Sequence, residues 1–287
     1  MTSEDFIKEV KSSDLYYEYF EEEYKDFQEY QSLALKTLNE FHRICEKNEI
    51  NYAIGYGSLL GAIRDHGQIP WDYDIDVLIS IQDRERLITA LNNDLSDEFY
   101  YMSPEVDQKC RHYFIKMAPK GYKSLELHVD VFYLVGLPND EVESKKIQEI
   151  LKRNTKIRRI KCRDLRRDLK VGKREFLLRL YLKIRFLFAS LKKKDAEFEE
   201  AAHRYPMDQA TYCCVPEYKS VLKVSDILDT TIIKLATGNY RIPVNYQVLL
   251  AKWYGDYMRI MPLNERLDEM RTHYKYLNQF AKDCEEY

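Results

Sequence analysis

The stretch GSLLGAIRDHGQIPWDYDIDVLIS, from Gly57 to Ser80, sets Asp72, Asp74 and Asp76 at alternate positions, running into the apolar residues Ile75, Val77, Leu78 and Ile79. Alternate residues of a strand share a face, so the three carboxylates project together if the strand extends back to Asp72. Like charges held this close repel, and burying them is costly without a counter-cation. Oxygen-only ligands of this kind suit Mg²⁺ or Mn²⁺ rather than zinc. The apolar flanks make the strand at least half buried, which argues against a solvated acidic edge. A second segment, LELHVDVFYL from Leu125 to Leu134, alternates in the same way. It puts Glu126, His128 and Asp130 on one face and Leu125, Leu127, Val129 and Val131 on the other. Asp130 is then a third carboxylate beside Asp74 and Asp76. Glu126 reads as a strand-end surface residue and His128 as a structural histidine.

Upstream, Gly57 and Ser58 lie between a short strand and a helix start. Serine caps helices well, and a glycine lets a phosphate approach the backbone closely. Arg64, further along the same segment, is a candidate to neutralise phosphate charge. Trp71 reads as packing beneath the loop.

The elements that must position these groups follow from periodicity. Leu33, Leu35, Leu38, Phe41, Ile44 and Cys45 recur at roughly helical spacing and predict a helix over 15–48. Tyr52 to Tyr56 reads as a short strand, and Leu59, Leu60 and Ile63 as one side of a short helix. Asp74 to Ile79 is a strand, Arg84 to Asn92 a helix, and 98–103, 111–118 and 125–134 are strands. This alternation predicts an α+β core with a mixed sheet flanked by helices. Between Leu151 and Asp195 the chain carries 18 Lys and Arg against 4 Asp and Glu, although its net charge is only -3. Within that segment, REFLLRLYLKIRFLFASLKKK (Arg174 to Lys194) predicts a basic amphipathic helix. Its apolar positions Phe176, Leu177, Leu180, Ile184, Leu187 and Leu191 suit either an anionic lipid surface or the core. From about Ala196 onward the chain reads as mostly helical. The expected division is N-terminal helices over 1–50, a catalytic core over 51–140, a basic helical insertion over 141–195 and a helical part over 196–287.

The length of 287 residues suits one elaborated domain, or a core with a smaller module. Six cysteines without a CxxC spacing disfavour structural zinc and suit reduced thiols. The first residues, MTSEDFIKEVKSSD, have no apolar core and do not read as a secretory signal. No run of about 18 uncharged apolar residues exists to span a membrane. The expected location is cytoplasmic, with docking at the inner face of the cell membrane through the basic segment. No RNP-like or Gly-x-x-Gly loop accompanies that segment, so no nucleic-acid partner is expected.

Strand, Gly-Ser, helix, loop, a strand with Asp-x-Asp, then a later strand with one Asp: this order resembles the nucleotidyltransferase superfold, the polymerase-beta-like one. The segment GYGSLLGAIRDHGQIPWDYDIDV closely resembles the signature of the LicD family, which also includes fukutin and the fukutin-related protein. RIPVNYQVLLAKWYGDYM, Arg241 to Met258, is similar to the family's C-terminal pattern. Tyr73 departs from it, standing where many members carry an aspartate. The resemblance implies transfer of a phosphorylated alcohol from a CDP-activated donor to a hydroxyl of a glycan or its lipid-linked precursor, with release of CMP. Phosphocholine from CDP-choline is the head group it favours. Ribitol or glycerol phosphate transfer, or movement of NMP from an NTP, are the alternatives. It implies two Mg²⁺ or Mn²⁺ ions on Asp74, Asp76 and Asp130, with donor phosphates at Gly57, Ser58 and Arg64. Tyr254 and Tyr257 are candidates for an aromatic cage around choline, or for core packing beside Trp253.

Overall fold

Tyr24, Phe27, Tyr30, Ala34, Leu38, Phe41 and Ile44 fall on one face of helix α2 (Phe20–Lys47), and that face is buried. The computed structural model describes residues 1–121, 129–165, 172–218, 220–235 and 237–281. A shorter helix, α1 (Ser3–Lys11), precedes α2 and is closed at its start by a reciprocal Thr2–Asp5 capping box. The face of α2 packs against β2 (Ile75–Ser80), β4 (Ile115–Pro119) and β5 (Val129–Leu137). Among the described residues the main sheet has the order β1–β2–β5–β4–β3, with β1 at Ala53–Ile54 and β3 at Phe99–Met102. β2 and β5 run parallel; the other neighbours on this path are antiparallel. All nine residues of β5 are buried, so the strand is covered on both faces. The expectation of a mixed sheet flanked by helices is met.

The helix predicted over 15–48 begins at Phe20, and the strand predicted from Asp74 begins at Ile75. Asp72 and Asp74 therefore belong to the loop before β2 rather than to the strand. Of the strand predicted over 125–134, the first four residues, Glu126 and His128 among them, lie outside the described residues.

The chain beyond Ala196 differs from its mostly helical expectation. It contributes β6 (Tyr212–Cys214) and β7 (Val221–Lys223), which extend the sheet from the far end of β5. A separate hairpin follows, β8 (Thr230–Leu235) with β9 (Gly238–Pro243). These strands are short, and β6 and β7 alternate too few times for periodicity to reveal them.

The basic segment forms α5 (Glu141–Lys161), α6 (Lys173–Arg185) and α7 (Leu191–Ala202). α5 and α7 pack on one another, locked by Arg158. Its Nη1 donates to both Asp195 oxygens at 2.9 Å, Nε to the Cys110 carbonyl at 2.8 Å and Nη2 to the Gln108 carbonyl at 3.0 Å. The side chain is almost fully enclosed. Removing one member of a buried ionic network leaves the others unpaired. Arg158→Leu is therefore expected to lower stability by about 3–5 kcal/mol, read from the urea unfolding midpoint. A midpoint unchanged by the substitution would show that this joint is not what holds the helical layer to the sheet.

Candidate active site

The parallel register of β2 and β5 sets Asp76 opposite Asp130, and the antiparallel register of β4 sets Lys116 opposite Asp130 from the other side. Paired residues on adjacent strands point to one face, so these three side chains form a row across the sheet. Lys116 Nζ lies 2.7 Å from Asp130 Oδ1 and 3.1 Å from Oδ2, with both side chains nearly buried. The Ser58 hydroxyl accepts the Asp76 amide at 2.9 Å, and the Gly55 amide donates to the Asp76 carbonyl at 2.9 Å. The Gly-Ser turn is thereby tied to the backbone of Asp76 from two sides, and the Ser58 O–H remains a donor for a further acceptor.

The turn is built under constraint. Tyr56 takes a left-handed backbone (φ 45°), rare for an aromatic residue. Its buried ring is clamped by Trp253 and Tyr218, each with centroids at 4.5 Å, and by Phe132 at 6.1 Å. A Cβ at position 57 would stand 2.9 Å from Asp72 Oδ2, so only glycine lets the loop carboxylate lie this close to the turn. The acidic loop is anchored through its carbonyls. Tyr24 donates to Pro70 at 3.0 Å, and Gln31 donates to Ile69 at 3.0 Å and to Asp72 at 2.6 Å, all from α2. His273 Nδ1, on helix α10 (Leu263–Ala281), reaches the Trp71 carbonyl at 3.2 Å. Trp71 itself packs on Phe6 in the core, as expected. The Tyr73 ring sits against His273, consistent with a side chain directed away from the Asp74/Asp76 face.

Asp72 and Asp76 each feel the charge of neighbouring carboxylates. Burial, then the charge of Asp74 and a hydrogen bond shared with it, hold the Asp72 carboxyl well above the usual range. Burial, then Asp74, Asp130 and Asp72, do the same for Asp76, opposed only in part by Lys116. Such a cluster favours a bound proton or a bound cation. Among the described residues, no three His, Cys, Asp or Glu side chains already stand in the arrangement of a metal cage. Asp130 is closed by Lys116 instead. The donor set of Asp74, Asp76 and Asp130 nonetheless has the chemistry that suits a hard divalent cation: oxygen ligands, negative charge that Lys116 offsets in part, and burial.

Arg64 lies in a single π-turn, Gly61–Asp65. Its guanidinium is engaged by Asp65 (Nε at 3.2 and 3.1 Å, Nη2 at 2.8 Å) and rests over the Trp71 ring. It is one of the charges felt by Tyr254.

Residues 49–163 match the nucleotidyltransferase domain of the LicD/FKTN/FKRP family. The chain is 30% identical over 256 residues to the lipopolysaccharide cholinephosphotransferase LicD of Haemophilus influenzae, covering 82% of this chain and 92% of that protein. It is also 40% identical over 52 residues to an uncharacterised protein of Rickettsia prowazekii, covering 18% of this chain and 20% of that one. The chain belongs to the LicD family. The family match spans the turn, the acidic loop and β5, and thus every carboxylate of the row.

Other groups around this LicD-family site were not evident beforehand. Lys116 was legible only as a charge at a buried strand position. Tyr218 and Tyr254 are each 43% exposed. Their hydroxyl pKa values are raised first by burial, then by Asp76, Asp130 and Asp74 for Tyr218, and by Asp76, Asp72 and Asp74 for Tyr254. Both hydroxyls therefore lie within the field of the carboxylates. Tyr257 instead packs against the core. Glu217, beside Tyr218, is pushed up to about 7 by burial, with Asp130 contributing. Glu269 on α10 is raised by burial and by Asp74.

Carboxyls whose folded pKa is raised bind more protons folded than unfolded. They therefore reduce stability as the pH rises above the unfolded value near 3.8. In protein stripped of divalent ions, Asp76→Asn is expected to raise the melting temperature at pH 7, by a margin that shrinks as the pH falls toward 4. A variant no more stable than wild type at pH 7 would contradict the buried-charge description.

Proposed function

We propose that this protein transfers phosphocholine from CDP-choline to a hydroxyl of a lipopolysaccharide-type glycan or its lipid-linked precursor, releasing CMP. The observation that carries the reading is the register of Asp76 opposite Asp130 beside the Gly57–Ser58 turn. It occurs in a chain similar over most of its length to a lipopolysaccharide cholinephosphotransferase. In the reaction the acceptor oxygen forms a bond to the phosphorus that bears choline. The bond from that phosphorus to the bridging oxygen breaks, CMP departs with the electron pair, and the acceptor proton passes to a carboxylate.

Asp74, Asp76 and Asp130 would hold two Mg²⁺ or Mn²⁺ ions, which when bound supply positive charge to the entering and leaving oxygens. Ser58 and the Gly57 backbone receive a donor phosphate. Lys116 orients Asp130 through its ion pair, placing that carboxylate to accept a proton on the acceptor side. Arg64, braced by Asp65, adds positive charge on the Asp72/Asp74 side. Tyr218 and Tyr254 offer aromatic faces beside the carboxylates. A trimethylammonium has no hydrogen to donate, and each face is worth about 0.5–2 kcal/mol to it.

Helix α6 supports docking of this enzyme on an anionic lipid surface. None of its residues is buried. Leu177, Leu178, Tyr181 and Ile184 are exposed on it, followed by Leu187 and by Phe188 at 96% exposure. Lys173, Arg174 and Arg185, together with Lys192 and Lys193, surround them with exposed positive charge. Apolar area and basic charge together favour the headgroup region of an anionic bilayer. No helix among the described residues is long and apolar enough to cross a membrane.

Two measurements test the reading. Metal-dependent CMP release from CDP-choline, abolished by EDTA, is expected even without acceptor, and Asp74→Asn or Asp76→Asn should lower it by at least about 10²–10³-fold. Release from CDP-ribitol or CDP-glycerol alone would change the head group. Pyrophosphate release from an NTP would replace the reaction. In sedimentation with vesicles, wild type is expected to pellet with anionic but not neutral lipid. Ile184→Ser and Phe188→Ser should each weaken that partitioning about tenfold. Equal pelleting with both lipids, or none, would remove the lipid-surface assignment.

A further inference from the structure

On the Asp130 side of the carboxylate row, a cavity of about 350 Å³ opens between α5, α6 and the Pro216–Glu217 loop. Ligand cavities run from about 300 to 1,000 Å³, so this one has room for a single sugar-sized molecule. Its lining is strongly cationic: Lys152, Lys156, Arg159, Arg163 and Arg179, with Glu217 the one acidic residue among the lining residues. Three lining atoms are buried with no hydrogen-bond partner among the described residues, namely Thr155 Oγ1, Arg179 Nε and Glu217 Oε1. Buried polar atoms are satisfied in nearly all folded proteins, and three orphans facing one cavity point to a polar occupant. The pKa of Arg159 is lowered by burial and by Arg111, Arg163 and Arg179 against the single opposing charge of Glu217. Among the lining residues five cationic side chains stand with the one carboxyl of Glu217, and Arg179 also lies 3.6 Å from Glu175.

None of Gly57, Ser58 and Arg64, the residues assigned to the donor phosphates, lines this cavity. The Tyr254 hydroxyl responds to Asp72, Asp74, Asp76 and Arg64, whereas Tyr218 responds to Asp76, Asp130, Asp74 and Glu217. Glu217 in turn feels Asp130 and Arg159. The cavity wall approaches the row through Glu217, next to Tyr218, whose ring meets Phe132 of β5 at 5.4 Å and Tyr56 at 4.5 Å. Fixed guanidinium groups recognise phosphate and carboxylate in paired hydrogen bonds, while a carboxyl and a hydroxyl such as those of Glu217 and Thr155 suit sugar hydroxyls.

We propose that this cavity binds a phosphate- or carboxylate-bearing sugar unit of the acceptor glycan, close to the hydroxyl that receives the transferred group. Naming the ligand as part of the acceptor rests on the phosphotransfer reading; the existence of an anionic-sugar site does not. The site selects acceptors by charge, and it is distinct from the site that holds the donor diphosphate.

The test is calorimetric titration of the full-length protein with glucose 6-phosphate, glucuronate, uncharged glucose and Mg²⁺ with CDP-choline. Two variants are compared with wild type. Arg159→Gln/Arg179→Gln removes two guanidinium groups, and Lys152→Gln/Lys156→Gln removes exposed lysines whose loss leaves the packed framework intact. The anionic sugars are expected to bind wild type at least about tenfold more tightly than glucose, and each variant should lose about tenfold or more of that affinity. The CDP-choline affinity should change less than about twofold in both. The proposal is overturned if neither anionic sugar binds in preference to glucose, or if both variants bind them as wild type does. It is also overturned if CDP-choline affinity falls in parallel, which would make the cavity the donor's diphosphate site. Failure of the phosphotransfer reading would show separately, as absent CMP release with sugar binding intact.

Discussion

The structure depends on holding several carboxylates of like charge together at the edge of a hydrophobic core. Asp76 is fixed on β2 opposite Asp130 on β5, and Asp72 and Asp74 are brought alongside by a loop that α2 and α10 grip through its carbonyls. Left to themselves these groups would separate or take up protons. The apolar burial of β5 on both faces, and of the α2 face over the sheet, supplies the opposing free energy. Lys116 is the protein's own partial answer. It neutralises Asp130 and leaves Asp72 and Asp76 with raised pKa values, so the site as folded remains short of positive charge.

The aromatic side chains around the turn have two separate duties. Trp253 and Phe132 hold the left-handed backbone of Tyr56 in place, so the Gly57–Ser58 turn cannot relax away from Asp76. Tyr218 shares in that clamp but is also exposed, as is Tyr254. The negative field that raises their hydroxyl pKa values is the same field that attracts cations to their faces. Rigid support and a cation-friendly surface therefore come from one cluster of rings, with the buried members providing the first and the exposed ones the second.

Much of this was readable from period and spacing, and the failures have identifiable causes. The alternation around Asp76 and Asp130 located both strands, because a period of two survives wherever one face is polar and the other packed. The Gly-Ser turn was readable from its position between a strand and a helix. Asp74 was assigned to the strand by carrying that same period one residue too far; Pro70 and the aromatic pair Trp71 and Tyr73 instead make the stretch a half-buried loop. Lys116, Glu217 and Tyr218 were missed because their partners lie far away along the chain, 14 residues for Lys116 and Asp130, and no local pattern marks such pairings. The strands β6 and β7 gave no signal, since three residues cannot show an alternation. The amphipathic pattern of α6 was visible, but a sequence alone cannot say whether an apolar helix face meets the core or the outside; the structure leaves it outside.

The charge asymmetry between the basic segment and the rest of the chain gains a meaning from this geometry. A reaction that joins two anionic molecules needs positive charge on both sides of the transferred phosphorus. Along the carboxylate row the acids outnumber Lys116, so on the proposed phosphotransfer reading a cation would accompany the donor. Past Asp130 the charge is built in as lysine and arginine and is present at all times. The two halves should then respond to solution conditions in different ways. Chelation acts on the carboxylate row and leaves the arginines as they are. Added salt acts most strongly on the exposed lysines of the cavity mouth, since ions separated by more than about 8 Å at physiological ionic strength are largely screened while buried pairs are not.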